Sequence, residues 1–153
     1  MFAATALSLI AAAPTKPVAT PPETPAGPDF LIQNGMAKGI VTTPSGVQYF
    51  VVTSGPKAGV SPAAADTVNL DYEVKLLDGT VIDSSYTRGA PLTGAAGAFV
   101  PGFSEAVELM RPGDEWIVWV PPQLGYGAAD VGPIPGNSVL RFRLALHSVT
   151  KAG

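Results

Sequence analysis

The feature that most constrains the fold of this chain is the strict alternation of apolar and polar side chains from Val68 to Leu76. Valine, leucine, tyrosine, valine and leucine take every second position, with asparagine, aspartate, glutamate and lysine between them. Successive side chains of a strand point to opposite faces, so this period of two predicts a strand with one buried side. Antiparallel sheets commonly bury only one face. The stretch therefore predicts an antiparallel sheet that covers a core on one side.

Other stretches have the composition or the alternation of strands. They span residues 46–53, 80–83, 115–120 and 140–146. The pair Asp78-Gly79 tolerates the positive φ of a tight turn, so it predicts a hairpin between the alternating strand and residues 80–83. We expect an antiparallel sheet of about four to five strands.

One helix is predicted before the chain reaches Arg111-Pro112-Gly113, which ends it. Its apolar residues recur at i, i+3, i+4 and i+7, the spacing of one helical stripe: Phe103, Ala106, Val107 and Met110. A sheet with one short helix packed on it indicates an α+β fold.

The N-terminal region differs in composition from the rest. Residues 1–13 form an apolar run that ends in small residues, which predicts a signal peptide although the usual basic start is missing. This run is too short for a stable membrane span. Residues 14–40 are interpreted as a proline-rich linker with a short lead-in, in which Phe30, Leu31 and Met36 could share one side of a short helix. We expect one domain over residues 41–153.

The composition argues against several kinds of site. The formal net charge is −3, so no basic stripe is available for a phosphate backbone and no nucleic-acid partner is expected. The chain has no cysteine and a single histidine, His147, which excludes thiolate metal sites and Cys-His nucleophile pairs. We therefore expect neither a metal nor a cofactor.

Two stretches and a set of aspartates match catalytic motifs only in part. Residues 102–106 lack the second glycine of a nucleophile elbow, and residues 94–97 lack the Gly-Lys-Ser/Thr that follows in a phosphate-binding loop. Asp83 adjoins serines, whereas Asp71 and Asp78 lie on the wet face of a strand and in a turn, so they do not suggest an acid–base pair.

What remains is a set of aromatic and aliphatic residues near loops. Taken singly, each suits a core, but their loop contexts could bring several of them to one rim. The set is Tyr72, Phe99, Val100, Phe103, Tyr126, Ile134 and Phe142.

The order of segments matches a known family. The matching segments are residues 70–72, 77–85, 88, 99–103, 110, 113, 124–127, 134–135 and 140–142. Together they resemble the FKBP-type prolyl isomerase domain, from near Thr42 to Val149. The approach from Phe30 to Tyr49 is similar to that of bacterial secreted members of the macrophage infectivity potentiator type. The long helical dimerisation arm of such members is missing here, so we expect a monomer.

The resemblance implies a half-barrel of sheet wrapped around the helix, with a prolyl ring bound in the hollow between them. Phe103 would form the floor, and the Tyr126 hydroxyl and the Val100 N–H would donate to a substrate carbonyl. By resemblance, catalysis falls to Tyr72, Asp83, Tyr126 and Phe142, and substrate binding to Ile82, Arg88, Phe99, Val100, Phe103 and Ile134.

Three positions depart from the family pattern. Ile82 and Leu92 stand where aromatic residues are common, and Phe103 stands where tryptophan is usual. These changes keep the hollow apolar but remove contacts, so they bear on isomerase efficiency and on affinity for macrolide inhibitors more than on the fold.

The leading hypothesis is a peptidyl-prolyl cis/trans isomerase that binds proline-containing segments and assists the folding of secreted proteins. A peptide-binding periplasmic chaperone with low or no turnover is the alternative that uses the same hollow. A purely structural β-rich domain offers no reason for a tyrosine among apolar residues at one rim. We expect a periplasmic or secreted protein, or a cytoplasmic one if residues 1–13 are not a signal.

Overall fold

The computed structural model describes residues 27–56 and 59–152. The predicted signal peptide and the proline-rich stretch up to residue 26 lie outside the described residues. The helices are α1 (Gly27–Gly35), α2 (Ser85–Arg88) and α3 (Pro101–Leu109), and 3₁₀ turns cover Ala96–Ala98 and Pro122–Leu124. The strands are β1 (Val41–Thr42), β2 (Gln48–Thr53), β3 (Thr67–Leu76), β4 (Val81–Ser84), β5 (Leu92–Ala95), β6 (Glu115–Val120) and β7 (Leu140–Thr150). No helix in these ranges is long and apolar enough to cross a membrane.

Within the described residues, seven strands form one antiparallel sheet in the order β1-β2-β6-β7-β3-β4, with β5 also paired to β3. The predicted α+β fold, an antiparallel sheet with a short helix against it, is confirmed. The sheet has more strands than the four to five expected, because β1 has only two residues and β5 only four. Strands this short carry no readable alternation, and only their pairing with β2 and β3 defines them.

The core lies between the inner face of the sheet and α3. Both predicted apolar patterns face it, and each of their members below is at most 9 % exposed. They are Phe103, Ala106 and Val107 on α3 with Met110 directly after it, and Val68, Leu70, Tyr72 and Val74 on β3.

The first turn of α3 approaches β6 closely at Gly102. A Cβ atom at this position would lie 2.4 Å from Val120 Cγ1 and 3.0 Å from Val120 Cγ2, so the contact requires glycine. Pro101 precedes it at the start of the helix, where the missing N–H leaves no intrahelical bond unmade. Together these two residues bring the following side chain, Phe103, against the sheet.

Helix α1 packs on the outer face of the sheet. The ring centroids of Phe30 and Trp119 are 6.4 Å apart. The buried Gln48 amide accepts a hydrogen bond from Asn34 Nδ2 at 2.8 Å and donates one to the Leu31 carbonyl at 2.7 Å. Met36, expected on the same side as Phe30, follows the helix and is 75 % exposed.

Candidate active site

A mostly apolar cavity of about 510 Å³ opens between the inner face of the sheet and the start of α3. Strands β3, β4, β5 and β7 contribute to it, as do the segments before α3 and after β6. Its lining consists of Tyr72, Val74, Ile82, Asp83, Leu92, Ala98, Phe99, Val100, Phe103, Tyr126, Pro133 and Phe142.

Phe103 lies among three other aromatic rings of the cavity. Its ring centroid is 5.0 Å from that of Phe142 and 6.0 Å from that of Tyr72, both in edge-to-face geometry, and 4.7 Å from that of Phe99. Aromatic pairs prefer such offset or perpendicular arrangements because the ring edge is positive and its face is negative. Phe103 is 4 % exposed, so these contacts hold its ring in one place.

One edge of the cavity is polar. The Tyr72 hydroxyl donates to Asp83 Oδ2, and Arg88 Nη1 donates to Asp83 Oδ1 at 2.6 Å and to the Tyr72 hydroxyl at 3.3 Å. The guanidinium carbon of Arg88 also lies 5.4 Å from the centroid of the Tyr72 ring, within cation–π range. Burial and, secondly, the hydrogen bond to Asp83 raise the pKa of Tyr72 above its ordinary value. The hydroxyl therefore stays protonated at neutral pH and continues to donate.

Two groups at the cavity can donate to a ligand carbonyl. Tyr126 lines the cavity while 42 % of its surface is exposed, and the turn that contains it is closed by a hydrogen bond from the Gly127 N–H to the Pro122 carbonyl at 2.9 Å. Val100 is the N-cap residue of α3 and also lines the cavity. The N–H groups at a helix start have no intrahelical acceptor, so the main chain here is suited to bind an oxygen.

Eight of the ten predicted site residues line this cavity, and two do not. Arg88 lies outside the lining and contacts it through Asp83 and Tyr72. Ile134 is 4 % exposed and packs in the main core, while its neighbour Pro133 lines the cavity. A direct contact of Ile134 with substrate stays a prediction.

Sequence reasoning did not assign Val74, Ala98 or Pro133 to the cavity, and it noted Leu92 only as a departure from a family pattern. Val74 could have been found, because it follows Tyr72 by two residues on the same face of β3. Ala98 ends a three-residue 3₁₀ turn and Pro133 lies in a turn, and neither segment is long enough for a periodicity that indicates a direction.

Comparison with known proteins gives concordant matches. A family model described as FKBP-type peptidyl-prolyl cis-trans isomerase matches residues 59–147. Outer membrane protein MIP of Legionella longbeachae is 43 % identical over 127 residues, which make up 82 % of this chain and 54 % of that protein. Peptidyl-prolyl cis-trans isomerase Mip of Coxiella burnetii is 42 % identical over 123 residues, 80 % of this chain and 53 % of that protein. The chain thus spans about half the length of these curated relatives.

Solved structures agree with the sequence matches. The crystal structure of FkpA from Escherichia coli has a TM-score of 0.78 at 36 % identity, over 83 % of this chain and 59 % of that one. A peptidyl-prolyl cis-trans isomerase of Pseudomonas syringae pv. tomato has a TM-score of 0.75 at 25 % identity, over 82 % of this chain and 91 % of that one.

Proposed function

The chain belongs to the FKBP-type peptidyl-prolyl cis-trans isomerase family, and we propose that it catalyses cis–trans isomerisation of X-Pro bonds in polypeptides. The observation that carries this proposal is an apolar cavity with a buried aromatic ring, Phe103, and an exposed tyrosine hydroxyl, Tyr126, at the same opening. The prolyl ring enters the cavity and packs on Phe103. Phe99, Ile82 and Phe142 surround it.

The reaction suits an apolar site without a nucleophile. The barrier to rotation about a peptide bond is about 18–20 kcal/mol and arises from amide resonance, while the two X-Pro isomers differ by only about 0.5–1 kcal/mol. The planar amide carries a larger charge separation than the twisted one, so an apolar surrounding disfavours the planar form. An enzyme that binds the twisted form more tightly than the planar one accelerates the rotation. No proton transfer and no covalent intermediate are needed.

Hydrogen-bond donors fix the substrate while it rotates. The Tyr126 hydroxyl and the Val100 N–H donate to carbonyl oxygens of the bound peptide. Asp83, Tyr72 and Arg88 form a polar edge whose members are joined to one another by hydrogen bonds and an ion pair. Such preorganisation avoids the cost of ordering these side chains during the reaction.

A protease-coupled proline isomerisation assay on the purified protein tests this proposal. Tyr126→Phe removes one donor, and the loss of one hydrogen bond worth about 0.5–1.5 kcal/mol lowers kcat/KM about two- to tenfold. Tyr86→Phe is the matched control, because Tyr86 is 50 % exposed and does not line the cavity. Equal activity of both variants and the wild type would contradict the role of Tyr126. If the wild type is folded and binds unfolded chains but does not catalyse isomerisation, the chaperone alternative replaces the enzyme proposal.

We propose further that residues 41–153 form the isomerase domain and that residues 1–13 direct it to the periplasm or out of the cell. The name of the Legionella relative, an outer membrane protein, supports such a location. We propose a monomer that binds proline-containing segments of folding polypeptides and also macrolide inhibitors. N-terminal sequencing of the protein from its host tests the signal role of residues 1–13, and size-exclusion chromatography tests the monomeric state.

A further inference from the structure

Strand β3 has an interruption in its pairing directly beside the cavity. On one side it pairs with β7 along its whole length. On the other side β5 pairs with residues 67–70 and β4 with residues 73–75, so Asp71 and Tyr72 have no strand partner there among the described residues. The β4 register matches Glu73 with Ser84, and one further step would match Tyr72 with Ser85. At Ser85 the chain turns into α2 instead.

The Ser85 side chain supplies the hydrogen-bond acceptor that a neighbouring strand would otherwise give to Tyr72. Its hydroxyl accepts a hydrogen bond from the Tyr72 N–H at 2.9 Å and lies 2.6 Å from Asp71 Oδ1 and 3.3 Å from the Tyr72 carbonyl. A hydroxyl has one proton to donate, and the carboxylate is both nearer and charged, so the proton goes to Asp71. Ser85 is 0 % exposed, so bulk water does not compete for these hydrogen bonds.

Asp71 is itself held from the other side of β3. His147 Nε2 on β7 lies 2.8 Å from Asp71 Oδ2. The Ser85 hydroxyl and, secondly, His147 lower the pKa of Asp71, so its carboxylate remains ionised as an acceptor. The Ser85 hydroxyl is thereby fixed in the orientation that accepts from Tyr72.

We propose that Ser85 is a positioning residue that holds Tyr72 and the segment 83–88 in their mutual arrangement at the cavity, with Asp71 as its acceptor. The segment carries both partners of the Tyr72 hydroxyl, Asp83 and Arg88, on either side of Ser85. The Ser85 hydroxyl therefore links the main chain of Tyr72 to the same segment, 83–88, whose side chains bind the Tyr72 hydroxyl. This inference rests on the proposed isomerase function for its kinetic consequence only.

The experiment compares Ser85→Ala with Ser84→Ala. Ser84 is an adjacent serine, 4 % exposed, whose side chain caps α2 by accepting from the Thr87 N–H, whereas the hydrogen bonds of Tyr72 described above involve Ser85, Asp83 and Arg88. We expect Ser85→Ala to lower kcat/KM about fivefold per folded molecule, the value of roughly one hydrogen bond, and Ser84→Ala to leave it unchanged. Equal losses in both variants would overturn the proposal, since they would indicate general loosening of this segment.

A spectroscopic readout is independent of catalysis. The chain has four tyrosines, so carbon-13 labelling of the ring carbon that bears the hydroxyl gives four signals, and Tyr72→Phe identifies one of them. Ser85→Ala should shift the Tyr72 signal, whereas Ser84→Ala should not. If the wild type had no isomerase activity and Ser85→Ala still shifted the Tyr72 signal, the proposed function would be refuted and the positioning role would still be supported. An unshifted Tyr72 signal would overturn the positioning role whatever the activity.

A second pair of variants covers failure of Ser85→Ala to fold. Asp71→Asn keeps a carbonyl oxygen for the Ser85 hydroxyl, whereas Asp71→Ala removes the acceptor. We expect the Tyr72 signal and kcat/KM to change more in Asp71→Ala than in Asp71→Asn. Equal changes in the two would count against the proposed chain of contacts.

Discussion

Replacing Gly102 by alanine tests whether the close approach of α3 to β6 determines the cavity. In a helix without tertiary contacts, Gly→Ala stabilises by about 0.4–1 kcal/mol, because alanine loses less backbone entropy on folding. In this protein the new Cβ would lie 2.4 Å from Val120 Cγ1, whereas carbon atoms pack best at about 3.5–4.0 Å. Val120 is 0 % exposed, and its β-branched side chain has few alternative rotamers. The helix must therefore move away by about 1 Å.

The two effects have opposite signs, and the clash is the larger. Overpacking a well-packed core costs about 1–3 kcal/mol, and a 2.4 Å approach to a fully buried side chain belongs in the upper half of that range, about 2–3 kcal/mol. After a helix preference of up to about 1 kcal/mol is subtracted, the net loss for Gly102→Ala is about 1–2 kcal/mol. At about 4 °C per kcal/mol this lowers the melting temperature by about 4–8 °C. Since Phe103 follows Gly102 on the displaced turn, isomerase activity per folded molecule should fall as well.

Urea unfolding followed by tryptophan fluorescence measures the effect, with a double-mutant cycle as the control. Val120→Ala removes both Cγ atoms that cause the clash. In the Val120→Ala background, Gly102→Ala should raise the free energy of unfolding. The coupling free energy between the two sites should therefore be at least about 1 kcal/mol. A Gly102→Ala protein as stable as the wild type, or more stable, would refute the reasoning.

Three other predictions concern acid stability, inhibitor binding and the packing around Phe103. Hydrogen bonds from the Ala63 N–H and, next, from Lys151 lower the pKa of Asp66 from 3.8 to about 2. The stabilisation of the fold by ionised Asp66 is therefore present above pH 3.8 and disappears as the pH falls through about 2. The urea midpoints of the wild type and Asp66→Asn should converge in that window, and a difference between the midpoints that does not change with pH would contradict this. Macrolides should bind about fivefold more weakly than to members with larger aromatics at Ile82 and Phe103, because roughly 40 Å² of lost apolar contact is worth about 1 kcal/mol. Phe103→Trp should lower the free energy of unfolding by about 1–3 kcal/mol, since other rings already surround Phe103. Calorimetric titration checks the macrolide affinity, and thermal unfolding checks the stability of Phe103→Trp. Tight macrolide binding by the wild type would contradict the affinity prediction.

Much of the fold was predictable from short stretches of sequence. The alternation along β3 and the apolar stripe of α3 are properties of neighbouring residues, and both face the core as expected. The strands β1 and β5 were not predictable in this way, because two or four residues show no period. They are strands only because β2 and β3 pair with them.

The cavity shows the same division. Resemblance to a family named eight of the twelve residues that line it, from Tyr72 on β3 to Phe142 on β7, without showing what holds them in place. Nothing around Ser85 in the sequence indicates that its hydroxyl bonds the Tyr72 N–H, and nothing around Gly102 indicates a contact with Val120.

The sequence by itself determined which faces of strands and helices are apolar, since burial of a face needs only the right side chains at the right period. The tertiary structure alone decided where Ser85 replaces a strand and where Gly102 meets β6. These contacts join residues 13 and 18 positions apart, and they follow from strand register and from the distance between packed elements. Register and distance are set by all the packed layers together, so no local pattern encodes them.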